Sequence, residues 1–308
     1  MTITKSTKKK YGRVGVLFGG MSAEREVSLL SGKAVAESLL RSGVEVVPID
    51  VGEDFLQRLP EYRLNRAVIM LHGPGGEDGS LQGALQFYGL PYTGSGVLAA
   101  AAAMDKSYSK KFWQSLSLPT PKFEELGEAT DWDKALKNLG GKVMVKPSRE
   151  GSSLGMSEAS CAASLKKAWQ TAFRLDDTVI AEQWMKGAEY TVAVLDGKAL
   201  PAIKLETKNN FYDYAAKYLA DDTTYKCPCG LSKDKEKLLM GLAIKAFESL
   251  GCSGWGRVDV MSDLNDDFFL LEVNTVPGMT DHSLMPMAAA AAGYSFDELT
   301  LKILDSSL

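Results

Sequence analysis

Residues 256–261 read GRVDVM and residues 269–274 read FLLEVN, and these two stretches decide the fold. Both have the apolar, β-branched and aromatic composition of strands, and polar turn residues separate them. Because side chains alternate along a strand, an antiparallel hairpin centred on that turn places Asp259 opposite Glu272 and Arg257 opposite Asn274. Two carboxylates about 5 Å apart repel by roughly 3 kcal/mol at an effective dielectric of about 20.

A cation is therefore needed to hold the two carboxylates of this hairpin together. Asp259, Glu272 and Asn274 offer a set of oxygen ligands, which is the set that Mg²⁺ prefers. The alternative is a solvated face that is merely charged, but such a face rarely places its polar groups in the middle of apolar strands. The hairpin predicts a magnesium–nucleotide site.

The overall composition excludes several classes of protein. The 308 residues are 45% hydrophobic, which is enough for more than one core, and a formal net charge of −4 gives no overall attraction to nucleic acid or to anionic membranes. No apolar run reaches the roughly 20 residues that cross a bilayer, and the start of the chain lacks a signal peptide. Four scattered cysteines are typical of a reduced compartment, so we expect a cytoplasmic protein without nucleic-acid or membrane partners.

The first third of the chain alternates predicted strands and helices. Strands are expected at residues 13–18, 44–49 and 67–71, with a helix at 24–41, and this order is typical of a parallel sheet covered by helices. A Gly/Pro-rich zone at residues 89–96 then indicates a domain boundary.

The remaining two thirds mix the two kinds of element in a less regular order. We expect strands that end near residue 146 and that cover 179–182, 190–195 and 199–205, with helices at 105–115, 162–173, 235–250 and from Ser295, where Glu298 completes a capping box. The expected fold class is α/β, with α+β character in the nucleotide-binding half. The expected units are residues 1–94, 95–182 and 183–308.

A serine- and glycine-rich loop follows the strand that ends at Lys146. Residues 151–155 read GSSLG, and the backbone N–H groups of such a loop can cradle phosphate oxygens beside the positive charge of Lys146. GSSLG also matches the G-x-S-x-G of serine hydrolases, with His282 as the base, although its flanks do not read as strand–turn–helix. Lys106 and Lys217 are further candidates for phosphate contact.

Two glycine-rich loops and one helix start complete the set of candidate segments. Residues 72–79 read HGPGGEDG after a predicted strand, and this many glycines indicates backbone that passes close to a ligand. The second such loop is residues 19–24, GGMSAE. Its Glu24 lies near a helix N-terminus, where the helix dipole favours its charge, but it could equally face a cationic substrate group. Residues 277–284 lead from the magnesium strand into a helix, whose free N–H groups could bind a carboxylate or an oxyanion.

Together these segments resemble the D-alanine–D-alanine ligase family of the ATP-grasp superfamily. The resemblance rests on HGPGGEDGSLQG at residues 72–83, and on GRVD at 256–259 with LEVNTVPG at 271–278. It implies an ATP-grasp fold behind an amino-terminal, Rossmann-like parallel-sheet domain. It also implies a homodimeric, ADP-forming ligase that makes D-alanyl-D-alanine for the bacterial cell wall through a D-alanyl phosphate intermediate, using ATP and two Mg²⁺ ions, for which Mn²⁺ can substitute.

The resemblance assigns nucleotide-site roles to two groups of residues. The ligands of the two Mg²⁺ ions are Asp259, Glu272 and Asn274. The residues that contact ATP are Lys106, Lys146, Ser152 and Lys217 around the phosphates, Glu182 and Glu189 at the adenine and ribose, and the backbone of Gln183 and Met185.

The resemblance also implies how the amino acids are held. Glu24 anchors the ammonium group of the first D-alanine, with His72 close by, while Ser152 and Tyr218 form a hydrogen-bonded set with Glu24. By the same resemblance, Arg257 and the N–H of Gly278 stabilise the oxyanion. Ser283 and the N–H of Leu284 hold the carboxylate of the second D-alanine.

Three alternatives remain beside this interpretation. A related ligase would use D-serine or D-lactate as its second substrate, but relatives that make the D-lactate ester carry Phe at the position of Tyr218. A non-catalytic nucleotide-binding module would be expected to have lost Glu24, Arg257 or a magnesium ligand, and none is lost. A serine hydrolase would need no ATP.

Overall fold

A computed structural model of the chain describes residues 10–207 and 223–308. The strands are β1 Arg13–Gly19, β2 Glu45–Val51, β3 Arg66–Ile69, β4 Phe123–Leu126, β5 Val143–Pro147, β6 Ser157–Ala159, β7 Val179–Gln183, β8 Glu189–Leu195, β9 Lys198–Ala199, β10 Ile203–Thr207, β11 Thr223–Lys226, β12 Trp255–Ser262 and β13 Phe268–Asn274. The helices are α1 Arg25–Arg41, α2 Phe55–Tyr62, α3 Ser80–Tyr88, α4 Val97–Met104, α5 Lys106–Ser115, α6 Trp132–Asn138, α7 Ala162–Ala172, α8 Lys233–Ser249, α9 Leu284–Ala291 and α10 Phe296–Asp305.

The amino-terminal sheet is parallel, with the strand order β2-β1-β3. Its central strand β1 is almost wholly apolar and buried, as a parallel strand covered on both faces requires. The three predicted strands and the helix α1 are therefore confirmed. Because β1 and β3 are parallel neighbours, the loops that follow them meet at one edge of the sheet, and these loops carry Glu24 and His72.

The middle sheet is antiparallel, with the order β4-β7-β5-β6, and α6 and α7 cover it around one apolar core. Its strands β5 and β7 are paired so that Lys146 lies opposite Ile180 and Glu182 lies opposite Met144. The two charged residues are thus brought to neighbouring strands of one sheet.

The carboxy-terminal sheet runs β11-β10-β8-β12-β13, with β9 paired to β8. The predicted hairpin register is confirmed, since Asp259 pairs with Glu272 and Arg257 with Asn274. A bulge follows directly after Asp259. Helices α4, α5 and α8 pack on one side of this sheet, and α9 and α10 share a core with the amino-terminal sheet on the other.

Two local expectations have different outcomes. The strand predicted over residues 199–205 is wrong as one element, because Pro201 has no N–H to donate and the chain forms β9 and β10 on either side of it. The capping box at Ser295 and Glu298 is confirmed, with the Glu298 N–H donating to Ser295 Oγ at 3.2 Å.

Across residues 10–207 and 223–308, no helix has both the length and the apolar character that a bilayer crossing requires.

Candidate active site

A cavity of about 670 Å³ lies between the middle and the carboxy-terminal sheets. It collects most of the residues predicted for the nucleotide site, although they come from distant parts of the chain. The predicted residues that line it are Lys106, Lys146, Ser152, Glu182, Gln183, Met185, Glu189, Asp259 and Glu272. Two other predicted residues, Lys217 and Tyr218, lie outside the described part of the chain.

The carboxylate of Asp259 is buried at the centre of a hydrogen-bonded network. Arg257 donates to both of its oxygens, with Nε–Oδ1 at 2.9 Å and a second guanidinium nitrogen 2.8 Å from Oδ2. Asn274 Nδ2 donates to Oδ2 at 3.0 Å, and Thr191 Oγ1 donates to Oδ1 at 2.6 Å. Cross-strand pairing thus groups the predicted metal ligands with the predicted oxyanion donor Arg257, on the side of the sheet that faces the cavity.

The chemistry of this donor set fits Mg²⁺ that binds together with a nucleotide. Among residues 10–207 and 223–308, no three His, Cys, Asp or Glu side chains converge on a metal position, so the chain has no all-protein metal cage there. Mg²⁺ usually takes one or two carboxylates and completes its octahedron with waters and phosphate oxygens. Asp259, Glu272 and the amide of Asn274 match the few protein ligands that such an ion needs.

Lys106 links this metal-ligand pair to the serine- and glycine-rich loop. Its Nζ lies 3.2 Å from Glu272 Oε2 and donates to the backbone oxygen of Glu150 at 2.8 Å. Burial disfavours the charge of Lys106, but the carboxylates of Glu272, Glu182 and Glu24 outweigh it and raise the pKa of this lysine. Lys106 therefore carries a positive charge where it lines the cavity beside Glu272.

The carboxylate of Glu182 is shared by two lysines. Glu182 Oε1 forms an ion pair with Lys110 and Oε2 forms one with Lys146, and all three side chains are buried. Burial disfavours the ionised acid, but the two ammonium groups more than compensate and lower the pKa of Glu182. Sequence reasoning missed Lys110, since a lysine one turn after Lys106 has the same signal as a surface residue.

Part of the lining of this cavity is apolar. Met144, Met261 and Leu271 belong to it, and sequence reasoning missed all three. Gln183 and Met185, in the segment between β7 and β8, line the same cavity.

Glu24 lies where three loops meet. Added Cβ atoms at Gly73 and at Gly151 would each lie 2.6 Å from Glu24 Oε2, so both loops approach this carboxylate closely. Ser152 Oγ donates its proton to Glu24 Oε1, which joins the serine- and glycine-rich loop to the amino-terminal sheet. The predicted Glu24–Ser152 pair is therefore present in the structure.

The element that follows the GSSLG loop argues against the serine hydrolase alternative, whose nucleophile would be Ser153. The strand β6, not a helix, follows the GSSLG loop, so a nucleophile elbow is absent from this segment.

His72 holds the framework of the site through both of its ring nitrogens. Nδ1 lies 2.8 Å from the backbone oxygen of Val276, and Nε2 lies 3.3 Å from Ser31 Oγ. Burial lowers the pKa of this histidine, so the ring is neutral at pH 7. The structure thus places His72 near Glu24 as expected, and both ring nitrogens lie within hydrogen-bond distance of other protein atoms.

Glu77 holds the loop that follows β3 to the segment that follows β13. Its carboxylate accepts the N–H of Gly73 at 2.8 Å and the N–H of Val276 at 3.0 Å. Burial and the nearby Glu24 raise the pKa of Glu77 to about 8. Sequence reasoning missed the role of Glu77, although this residue lies within the HGPGGEDG motif.

The predicted second amino-acid site lies at the start of α9. Ser283 Oγ accepts the N–H of Thr280 at 2.9 Å, and Leu284 begins the helix. An added Cβ at Gly278 would lie 2.9 Å from Ser283 Oγ, and the N–H of Met279 donates to Ser31 Oγ at 3.0 Å. The segment from Gly278 to Ser283 is therefore tightly packed and held to α1.

Comparisons with known proteins agree with this geometry. The family model of the D-ala D-ala ligase N-terminus matches residues 13–62, and that of the D-ala D-ala ligase C-terminus matches residues 112–305. The D-alanine–D-alanine ligase of Ectopseudomonas mendocina is 57% identical over 300 residues, which cover 97% of this chain and 96% of that protein.

Two solved structures share the fold over nearly the whole chain. The Bacillus anthracis D-alanine–D-alanine ligase complexed with ATP superposes with a TM-score of 0.85 at 32% identity, covering 96% of this chain and 97% of the other. The VanG D-Ala:D-Ser ligase of Enterococcus faecalis gives a TM-score of 0.82 at 27% identity, with 96% and 99% covered. The chain has the expected ATP-grasp fold and belongs to the D-alanine–D-alanine ligase family.

Proposed function

We propose that the chain is an ADP-forming ligase that joins two D-alanines into D-alanyl-D-alanine for peptidoglycan synthesis. The observation that carries this proposal is the pairing of Asp259 with Glu272 across β12 and β13, with Lys106 beside them at a nucleotide-sized cavity. The identity of 57% to a D-alanine–D-alanine ligase supports D-alanine, over D-serine, as the second substrate.

In the first step, the carboxylate of one D-alanine attacks the γ-phosphorus of ATP, which gives D-alanyl phosphate and ADP. Lys106 and Lys146 would bind the phosphates, and the apolar part of the cavity beside Met144 would take the adenine. Two Mg²⁺ ions, held by Asp259, Glu272 and Asn274, would supply charge neutralisation between the phosphate oxygens. Glu24 would anchor the ammonium group of this first D-alanine.

In the second step, the amine of the other D-alanine attacks the acyl carbon, and phosphate leaves as the peptide bond forms. The oxyanion that develops would be stabilised by Arg257 and by the N–H of Gly278. Ser283 and the N–H of Leu284 would bind the carboxylate of the second D-alanine. The loop held by Ser152 and Glu24 would exclude water, which otherwise hydrolyses the acyl phosphate.

We further propose that Glu182 and Glu189, with the backbone of Gln183 and Met185, contact the adenosine, and that Lys217 and Tyr218 join the site. The units 1–94, 95–182 and 183–308 would each supply one wall. Each of these ranges contains most or all of the strands of one sheet, which supports that division.

The enzyme is proposed to act in the cytoplasm as a homodimer. Phe87 on α3 and Leu98 on α4 support self-association, since they are 97% and 76% exposed on two contacting helices. Sedimentation equilibrium should give twice the single-chain mass of 33.3 kDa. The variant carrying Phe87→Ser and Leu98→Ser should be monomeric, and Leu264→Ser, at another exposed leucine, should leave the dimer intact. A monomeric native protein would contradict this proposal.

The reaction is tested by phosphate release from ATP and Mg²⁺ with D-alanine, L-alanine, D-serine and D-lactate compared side by side. D-Alanine should give the highest rate, and mass spectrometry should identify D-alanyl-D-alanine as the product. Turnover of D-lactate as fast as of D-alanine near neutral pH would overturn the assignment of a peptide-forming ligase. Turnover without ATP would overturn the ligase class.

A further inference from the structure

Lys110 is a fully buried cation to which the proposed reaction assigns no role. Its side chain has no exposed surface, although lysine is among the residues least often buried. The ammonium group lies 2.7 Å from Thr120 Oγ1 and 3.3 Å from the backbone oxygen of Leu270, and it forms an ion pair with Glu182.

These three contacts use the whole donor capacity of the ammonium group. A lysine has three N–H donors, and Thr120, Leu270 and Glu182 accept one each. Lys110 therefore has no donor left for a nucleotide. Lys106, one turn earlier on α5, does line the cavity.

The contacts of Lys110 join the two sheets that enclose the cavity. Leu270 belongs to β13 and lies two residues before Glu272, whereas Glu182 belongs to β7 of the middle sheet. The side chain thus connects the metal-ligand strand to the opposite wall. Burial lowers the pKa of Lys110 to about 8, which still leaves the group mostly protonated at pH 7.

The net charge of the cluster formed by Lys110, Glu182 and Lys146 decides which charge the cluster presents to the cavity. Two ammonium groups and one carboxylate sum to one positive charge. Because Lys110 is enclosed and Lys146 lines the cavity, the uncompensated charge is presented by Lys146. Without Lys110, the cluster would be a neutral Glu182–Lys146 pair.

We propose that Lys110 is a positioning residue that compensates the charge of Glu182, so that Lys146 offers its full positive charge to the phosphates of the nucleotide. This inference rests on the proposed nucleotide site, but it concerns binding and not turnover. It is therefore tested by the affinity for Mg²⁺–ATP in the absence of D-alanine, which is measured even if the proposed ligation is wrong.

The test compares Lys110→Met and Lys110→Arg with the wild-type chain, and Lys110→Met/Glu182→Gln with Glu182→Gln, by titration calorimetry. Lys110→Met should weaken Mg²⁺–ATP binding about tenfold or more in the wild-type chain, since it leaves the cluster neutral. In the Glu182→Gln background, where no carboxylate needs compensation and any loss of an adenosine contact is already included, the same change should cost less than about threefold. Lys110→Arg keeps the charge and should bind within about threefold of wild type. A tenfold change in affinity corresponds to about 1.4 kcal/mol of binding free energy.

Lys111→Met is the matched control, because it removes the same charge from the adjacent position of α5. Lys111 is 56% exposed and pairs with Glu125 at the surface, so its loss should leave the affinity unchanged. A purely structural role for Lys110 predicts that Lys110→Met costs as much affinity in the Glu182→Gln background as in the wild-type chain, and that result would overturn the inference.

The proposal can still be tested if one of the variants does not fold. If Lys110→Met fails to fold, the double variant removes both buried charges together and is the better tolerated change. Its affinity relative to Glu182→Gln then decides, since a difference within about threefold supports the inference and a tenfold loss contradicts it.

Discussion

At the scale of single residues, the site depends on carboxylates whose charge is balanced by specific partners. Asp259 is matched by Arg257, and Glu24 accepts the hydroxyl proton of Ser152. The pairing of Asp259 with Glu272 could be predicted, because a two-residue period and a short turn fix the register of a hairpin. The burial of Lys110 could not, because it depends on which sheets close over the helix.

Ser152→Ala should weaken the site for the first D-alanine while the fold is kept. A hydrogen bond to a charged group contributes about 1.5–3 kcal/mol, so kcat/KM for D-alanine at saturating ATP should fall roughly 10- to 100-fold. Ser160→Ala is the control, at an exposed serine beyond the loop. An unchanged kcat/KM in Ser152→Ala would show that this contact has no part in substrate binding.

At the scale of elements, the serine- and glycine-rich loop is fixed at its base by Asp176. The carboxylate accepts the N–H of Arg149 at 2.7 Å and of Thr178 at 3.0 Å, and it pairs with the Arg149 guanidinium. Burial disfavours the ionised form, but these hydrogen bonds outweigh it and lower the pKa of Asp176. The contacts with Arg149 do not follow from sequence pattern, because Asp176 and Arg149 lie 27 positions apart.

Asp176→Asn should destabilise the protein in a pH-dependent way. Because folding lowers this pKa, the stabilisation is present above the ordinary value of about 4 and is lost as the pH falls through the folded value. We expect the free energy of unfolding at pH 7 to fall by about 1–3 kcal/mol. In urea titrations, the difference from wild type should shrink below about pH 4.

Asp177→Asn is the control for this pH dependence. Asp177 also pairs with Arg149, but its side chain is 79% exposed, so its loss should cost less than about 1 kcal/mol. An equal loss of stability in both variants, or a difference that does not change with pH, would contradict the role given to Asp176.

At the scale of the whole molecule, the cavity lies between two sheets whose strands come from different parts of the chain. The parallel first sheet and the hairpin of β12 and β13 were predictable from strand–helix alternation and from the short turn. The way the two sheets face each other was not, because it depends on contacts between distant segments, such as those of Lys110 with Leu270 and Glu182. The roles of Lys217 and Tyr218 stay predictions.

A ligand that contacts both sheets should stabilise the chain as a unit. Mg²⁺–ATP at one hundred times its Kd should add about 2.7 kcal/mol to the free energy of unfolding, which a thermal scan would record as a rise in Tm of several degrees. Addition of EDTA to the ATP complex should remove most of that rise, since Asp259 and Glu272 are proposed to contact the nucleotide through the metal.

The variant Asp259→Asn should lose most of the EDTA-sensitive part of this rise. Asp266→Asn is the matched control in the turn of the same hairpin, where the φ of 58° suits asparagine. A rise in Tm that is as large in EDTA as in Mg²⁺ would argue against a metal-bridged nucleotide.

The backbone of the serine- and glycine-rich loop has a consequence for product release. Ser152 and Ser153 both adopt left-handed conformations, with φ of 49° and 59°, which cost an L-residue about 1–2 kcal/mol each. The loop is retained over Glu24 only while its side-chain contacts, such as that of Ser152, outweigh this torsional cost. If turnover disrupts the Ser152–Glu24 contact, relaxation of these torsions would favour opening of the loop and exit of the proposed products.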